Sequence, residues 1–179
     1  TRAGLLSKPL HDRFGMVHRL DFYSRRELEI IADRSARVLG IRMAAEGAEA
    51  IARRSRGTPR ICNRLLRRCR DYAEVKGEGV ITPGIAEDCL KLHEVDDLGL
   101  DGLDRAYLEA LVGKFRGGPV GLRTLAAALG EGDGDSLEDL VEPYLMQIGF
   151  LDRTLQGRKA TESAFAYLGL GPVPGPLFG

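Results

Sequence analysis

Arg60, Arg64, Arg67, Arg68 and Arg70 crowd into the segment GTPRICNRLLRRCR, residues 57 to 70, with no acidic residue among them. A guanidinium is permanently charged and presents paired donors that match phosphate or carboxylate oxygens, so the chemistry open to this segment is anion recognition. Position selects among the five. Thr58 and Pro59 are the residue types favoured at the cap and first position of a helix. At 100° per residue, Ile61, Cys62, Leu65, Leu66, Cys69, Tyr72 and Ala73 then share an arc of about 140°. Arg64, Arg67, Arg68 and Arg70 fall on the remaining, solvated face. Arg60 stands in the first turn, where unpaired backbone N–H groups and the helix dipole already favour an anion. Thr58, Pro59 and Arg60 are therefore the expected phosphate-reading turn at the mouth of a cleft.

A second cationic group, Arg153, Arg158 and Lys159, lies where residues 150 to 154 and 158 to 161 read as two strands around Leu155-Gln156-Gly157. Cations on such a hairpin suit DNA backbone phosphates, which position a duplex without reading its sequence. On the preceding helix, Glu138, Asp139 and Glu142 are expected to face outward. Three carboxylates would repel phosphates, which argues against base-specific insertion of that helix. No metal is expected, because His11, His18 and His93 lack ligand-like spacing and the three cysteines, Cys62, Cys69 and Cys89, include no C-x-x-C pair. Their odd number predicts reduced, buried thiols in a cytosolic protein.

Helices must position these groups. Ser24 and Glu27 form a capping box ahead of Leu28, Ile31, Ala32, Ser35, Val38 and Leu39 at helical spacing, up to Gly40. Residues 44 to 56 predict a second helix with Ala48, Ile51 and Ala52 inward and Arg53, Arg54 and Arg56 near its C-terminal end, where cations are favoured. The arginine-rich helix runs from Thr58 to about Val75, and Thr82-Pro83 opens a fourth to about Glu94. Four helices with short connections predict a compact all-α unit. Further on, Leu103, Ala106, Tyr107, Leu111 and Phe115 mark a helix ended by Gly117-Gly118-Pro119, and Leu122, Leu125, Ala126 and Leu129 a short second one. Asp135 and Glu138 are expected to cap a third, with Leu137, Leu140, Val141, Tyr144, Leu145 and Ile148 as its apolar stripe and a kink at Pro143. Three helices and a hairpin predict a winged helix.

The 179 residues are 44% apolar and 29% charged, enough for a sizeable core, and no apolar run reaches the length of a membrane helix. The formal net charge is zero, yet residues 1 to 97 carry a balance of +4 and residues 98 to 179 one of −4. Nucleic-acid contact in the second half would need a local patch.

GTPRICNRLLRRCRDYAEVKGEG resembles the sensor 2 region of the RuvB family, AAA+ ATPases that drive Holliday junction branch migration, and the resemblance covers the whole chain. TRAGLLSKPLHDRFGMVHRLDFY is similar to the end of that family's ATPase domain, LGLDGLDRAYLEALVGKFRGGPVGLRTLAAALGE to the start of its third domain, and EDLVEPYLMQIGFLDRT to its winged helix. The resemblance implies a mainly α fold. Residues 1–22 would be the terminal remnant of an α/β AAA+ large domain, 23–97 the helical lid, 98–170 the winged-helix DNA-binding domain and 171–179 a flexible Gly/Pro-rich tail. It also implies residue roles: Thr1 as sensor 1, Arg13 as the arginine finger acting in trans, Arg60 as sensor 2. ATP with Mg²⁺ would be the cofactor, and duplex DNA, RuvA, RuvC and a homo-hexamer the partners, in the bacterial cytoplasm. The chain contains no G-x-x-x-x-G-K-[ST] and no acidic Walker B strand, so it is expected not to hydrolyse ATP alone. Two departures stand out: Thr154-Leu155-Gln156-Gly157-Arg158 where the family commonly has Thr-Pro-Arg-Gly-Arg, and His11 where an arginine is common. The alternative readings are a stand-alone winged-helix regulator without ATPase activity, and a clamp-loader or initiator relative with the same lid design.

Overall fold

The computed structural model describes residues 21–132 and 134–171. Two apolar clusters organise them. One gathers Leu28, Ile51, Leu65, Leu66, Ile81 and Leu90. The other is built on Leu100, Tyr107, Leu108, Leu111, Leu125 and Leu145.

The first cluster is enclosed by helices α1 (Arg25–Val38), α2 (Ala45–Arg53), α3 (Pro59–Lys76) and α4 (Pro83–Leu92). The capping box at Ser24 is formed in full, with Glu27 reaching back to the Ser24 N–H at 2.8 Å. The inward stripe of α1 is Leu28, Ala32 and Ala36, at strict i+4 spacing. Val38 and Leu39, expected inward, are exposed, because the helix ends there and the chain turns outward at Gly40. Two short strands, β1 (Arg42–Met43) and β2 (Val80–Ile81), pair in parallel beside the helices. Their two residues each are too few to leave an alternating pattern in the sequence. Gly47 packs against this pair, where a Cβ would come within 2.6 Å of the Ile81 carbonyl oxygen. The three cysteines are buried in the same core. Its hydrogen bond with Cys89, and then burial, raises the Cys69 thiol above its ordinary value.

In the second cluster, α5 (Gly102–Glu109) runs into a π turn (Ala110–Lys114), followed by α6 (Leu122–Leu129), a second π turn (Leu137–Val141), α7 (Glu142–Gln147), the hairpin β3 (Leu151–Thr154) and β4 (Gly157–Ala160), and α8 (Glu162–Tyr167). The third helix differs from expectation in three ways. It starts from the Gly134 carbonyl, which accepts from Glu138 N at 3.0 Å, so Asp135 lies in its first turn rather than at the cap. Pro143 does not simply kink it. Proline has no N–H to donate and its ring crowds the carbonyl four residues back, and the helix widens into the π turn immediately ahead, where Glu142 N donates to Leu137 O. The widened turn shifts the inward stripe to i+4 and i+5 spacing: Leu137, Val141, Glu142 and Leu145 are buried, and Leu140, expected inward, is 57% exposed. Helix α8, which the patterning of the sequence does not predict, is capped by Thr161 and buries Ala164 and Phe165.

A strap from Gly117 to Val120 joins the hairpin. Val120 N donates to Arg158 O at 3.0 Å, Arg158 N to Val120 O at 2.8 Å and Ala160 N to Gly117 O at 2.9 Å, so β4 is paired on both edges. Gly118 and Gly157 are required here. Their φ values are +85° and +136°, and a Cβ on either would lie 2.3–2.4 Å from a backbone carbonyl oxygen.

Candidate functional site: an arginine cleft and the wing

Helix α3 begins where expected. Pro59 occupies its first position and Thr58 the cap, although the Thr58 hydroxyl donates to Ser55 O at 3.3 Å instead of accepting from the first turn. The first-turn N–H groups therefore have no side-chain cap from Thr58. Arg60 and Arg64, one turn apart, open onto a cleft of about 300 Å³ walled by Arg56, Ile61, Leu103 and Leu140. Neither Arg60 nor Arg64 forms an ion pair with a carboxylate among the described residues. Burial, and then the like charges of Arg68 and Arg56, lower the affinity of Arg64 for its proton, against the opposing pull of Asp101. Asp101 and Asp104 also line the cleft but are paired with Arg56, so Arg60 and Arg64, which hold no carboxylate of their own beside a helix N-terminus, are the donors that fit the phosphate portion of a nucleotide. The chain enters this region through Tyr23, whose N–H donates to Gly57 O at 2.8 Å. Thr1 and Arg13 lie outside the described residues.

The residues just ahead of Arg60 depart from expectation. Helix α2 ends at Arg53, and Arg54 and Arg56 are not solvated cations at its end but are 4% and 8% exposed. Arg54 grips the Glu87 carboxylate through two bonds of 2.9 and 2.7 Å, pairs with Asp97, and donates through Nε to Asp96 O at 3.0 Å. Arg56 has φ of +51° and reaches into the second cluster. Its Nε donates to Gly99 O at 2.6 Å, its two terminal nitrogens hold the Asp104 carboxylate, and the guanidinium lies 5.0 Å from the centre of the Tyr144 ring. Asp104 is 1% exposed and also completes the capping box of α5 with Asp101. Burial pushes its carboxyl up to about 6 against the opposing pull of Arg56.

At the hairpin, two of the three expected DNA-facing cations are engaged by carboxylates. Glu142, expected outward, is fully buried. It accepts from Arg158 Nε at 2.8 Å and Tyr107 Oη at 3.1 Å and lies 2.9 Å from Arg153 Nε. Arg153 is also bound to Glu138. The expectation of three repelling carboxylates is therefore corrected for Glu142 and Glu138, whose charges are matched by the wing. Arg158 turns inward, Arg153 keeps one exposed edge, and Lys159 is exposed opposite Asp152 in the hairpin ladder. No group of His, Cys, Asp and Glu able to hold a metal is present among the described residues. None of their helices is long and apolar enough to cross a membrane.

A four-helix lid with an arginine turn, followed without a break by a winged helix, defines the C-terminal arm of an AAA+ protein. Residues 23–96 match the family model of the RuvB AAA lid domain, and residues 97–169 that of the RuvB C-terminal winged helix domain. The chain belongs to the RuvB family, as its lid and winged-helix portion. It is 58% identical over all 179 residues to the Holliday junction branch migration complex subunit RuvB of Thermobifida fusca, of which it covers 51%. The Thermotoga maritima RuvB Holliday junction branch migration motor superposes with a TM-score of 0.87 at 46% identity, over 93% of this chain and 56% of that one. A substituted form of the same motor gives 0.88 over 95% of this chain. The chain thus spans about half the length of the relatives it matches, and identity along its entire length leaves the stand-alone regulator reading without support.

Proposed function

We propose that the chain is the lid and DNA-binding arm of an ATP-driven motor subunit that moves Holliday junctions. The observation that carries this reading is the cleft of Arg60 and Arg64 standing directly against a winged helix, in a chain of the RuvB family. In the reading, residues 1–22 complete a large nucleotide-binding domain, 23–97 form the lid, 98–170 the DNA-binding domain and 171–179 a tail. ATP with Mg²⁺ supplies the free energy when hydrolysed. Arg60, with Pro59 and Thr58 fixing its turn, acts as sensor 2 and draws the lid toward phosphate oxygens. Thr1, as sensor 1, orients the attacking water. Arg13 reaches a neighbouring subunit's nucleotide and stabilises charge that develops in phosphoryl transfer, which makes turnover a property of a homo-hexamer. Lys159 and the exposed edge of Arg153 meet duplex phosphates, with Arg158 fixing the wing from behind, and RuvA and RuvC are the partners at the junction in the bacterial cytoplasm.

The test is ATP turnover and junction migration by the full-length protein. Arg13→Ala is expected to abolish turnover while leaving ATP binding within about twofold, and mixing it with a protein defective only in ATP binding restores part of the rate. Arg60→Ala is expected to reduce turnover by about 10²-fold, the scale of removing one preorganised donor. Normal turnover in either variant removes that residue from the nucleotide site.

A further inference from the structure

We propose that Arg56 is a positioning residue that couples the nucleotide-reading turn to the DNA-binding domain, locking lid and winged helix into one lever. The proposal rests on the function above and specifies how its two halves communicate. Arg56 stands four residues before Arg60 and forms a wall of the same cleft. Its backbone, at φ +51° and followed by Gly57 at +68°, turns the chain sharply between α2 and α3, which sends the side chain away from the lid. Every described polar partner of that side chain belongs to the other cluster: Gly99 O, Asp101 and Asp104, with the Tyr144 ring stacked against it. The partners are themselves fixed. Asp104 caps α5, and the Tyr144 hydroxyl donates to Leu98 O at 2.5 Å.

Arg54, two residues earlier, fixes the end of the lid by binding Glu87 and the Asp96 and Asp97 pair at the boundary with the winged helix. Gly99 allows the close approach, since a Cβ there would fall 2.7 Å from the Arg54 carbonyl oxygen. A flexible tether would need none of these buried ionic contacts, each of which carries a desolvation cost. A displacement of α3 by nucleotide therefore moves Arg56, and through Asp104 and Tyr144 it moves α5 and α7 in the same body.

The experiment compares Arg56→Gln and Asp104→Asn in the full-length protein with the unsubstituted one. Base pairs migrated per ATP are measured beside turnover and junction affinity. Distances between spin labels at Lys76→Cys and Gln156→Cys are recorded in parallel, Cys62, Cys69 and Cys89 being buried. A fall of tenfold or more in base pairs migrated per ATP, whatever the change in turnover, with junction affinity within about twofold and a broadened distance distribution, is the expected pattern for a broken coupling. Unchanged migration per ATP, an unchanged distance distribution, or a loss of migration matched by an equal loss of turnover overturns the proposal. Asp104→Asn keeps side-chain size and leaves Arg56 in place, so if Arg56→Gln alone fails to fold, Asp104→Asn still decides between coupled and uncoupled domains. If the unsubstituted protein does not move junctions with ATP, the motor reading fails, whereas the distance distributions still test the strut.

Discussion

Glu142 is the residue on which the wing is seated. Two arginines and a tyrosine hydroxyl surround a carboxylate with no solvent exposure, so removing one arginine leaves a buried charge partly uncompensated. Arg158→Ala is accordingly expected to lower unfolding stability by about 3–5 kcal/mol, read from urea denaturation, before any effect on DNA is considered. Lys159→Ala is expected to behave differently. It should leave stability within about 0.5 kcal/mol and weaken binding to unrelated duplexes equally, with the slope of log affinity against log salt reduced by about 0.9 for one lost phosphate contact. A sequence-dependent loss, or an unchanged slope, would take Lys159 off the phosphate backbone. The anionic partner of the wing was not legible in the sequence because its direction depends on the π turn. Counting at i+3 and i+4 faces Glu142 outward and Leu140 inward, and the widened turn ahead of Pro143 reverses both. The turn holding Arg60 was legible, since Thr58-Pro59 marks a helix start whatever the tertiary surroundings.

The elements follow the same division. Helices with caps and long apolar stripes were readable to within a few residues, because a stripe repeated over three or more turns outweighs local exceptions. Segments whose hydrogen bonds are made at a distance were not. GGPVGL reads as a helix stop, yet its Gly117–Val120 portion is an edge partner of β4, and β1 with β2 is a pairing across 38 residues of chain. Gly157 is the tightest point in this arrangement, at φ +136° with Val120 O where a Cβ would go. Gly157→Ala is expected to cost more than about 2 kcal/mol in unfolding free energy from backbone strain and the lost approach together. Amide exchange should rise selectively at Val120 and Arg158. An alanine variant as stable as the parent, with those amides still protected, would show that the strap does not depend on this glycine.

Across the whole molecule, the junction between the two cores brings charge into the interior. Asp104, with its carboxyl at about 6 against an ordinary 3.8, binds its proton more tightly folded than unfolded. Its contribution to stability is therefore fully present below about pH 4 and is lost as pH rises through about 6, on the order of 2–3 kcal/mol by the size of that shift. Asp104→Asn should flatten the stability curve over that window, and a curve of unchanged shape would place the titration elsewhere. Nothing in the spacing of Arg54 and Arg56 announces this role. Both sit where a helix C-terminus welcomes cations, and their partners lie more than 30 residues away. One further tie bears on how the arm would respond to a load on the wing. The Tyr167 hydroxyl, near the end of the described chain, donates at 2.5 Å to Asp96, at the end of the lid just ahead of the second cluster, whose other carboxylate oxygen accepts from Leu98 N and Leu100 N. A domain hung from one strand can swivel like a pendulum; one whose last helix is pinned back beside its first residue has two pivots, and torque at the tip has no free axis to turn about.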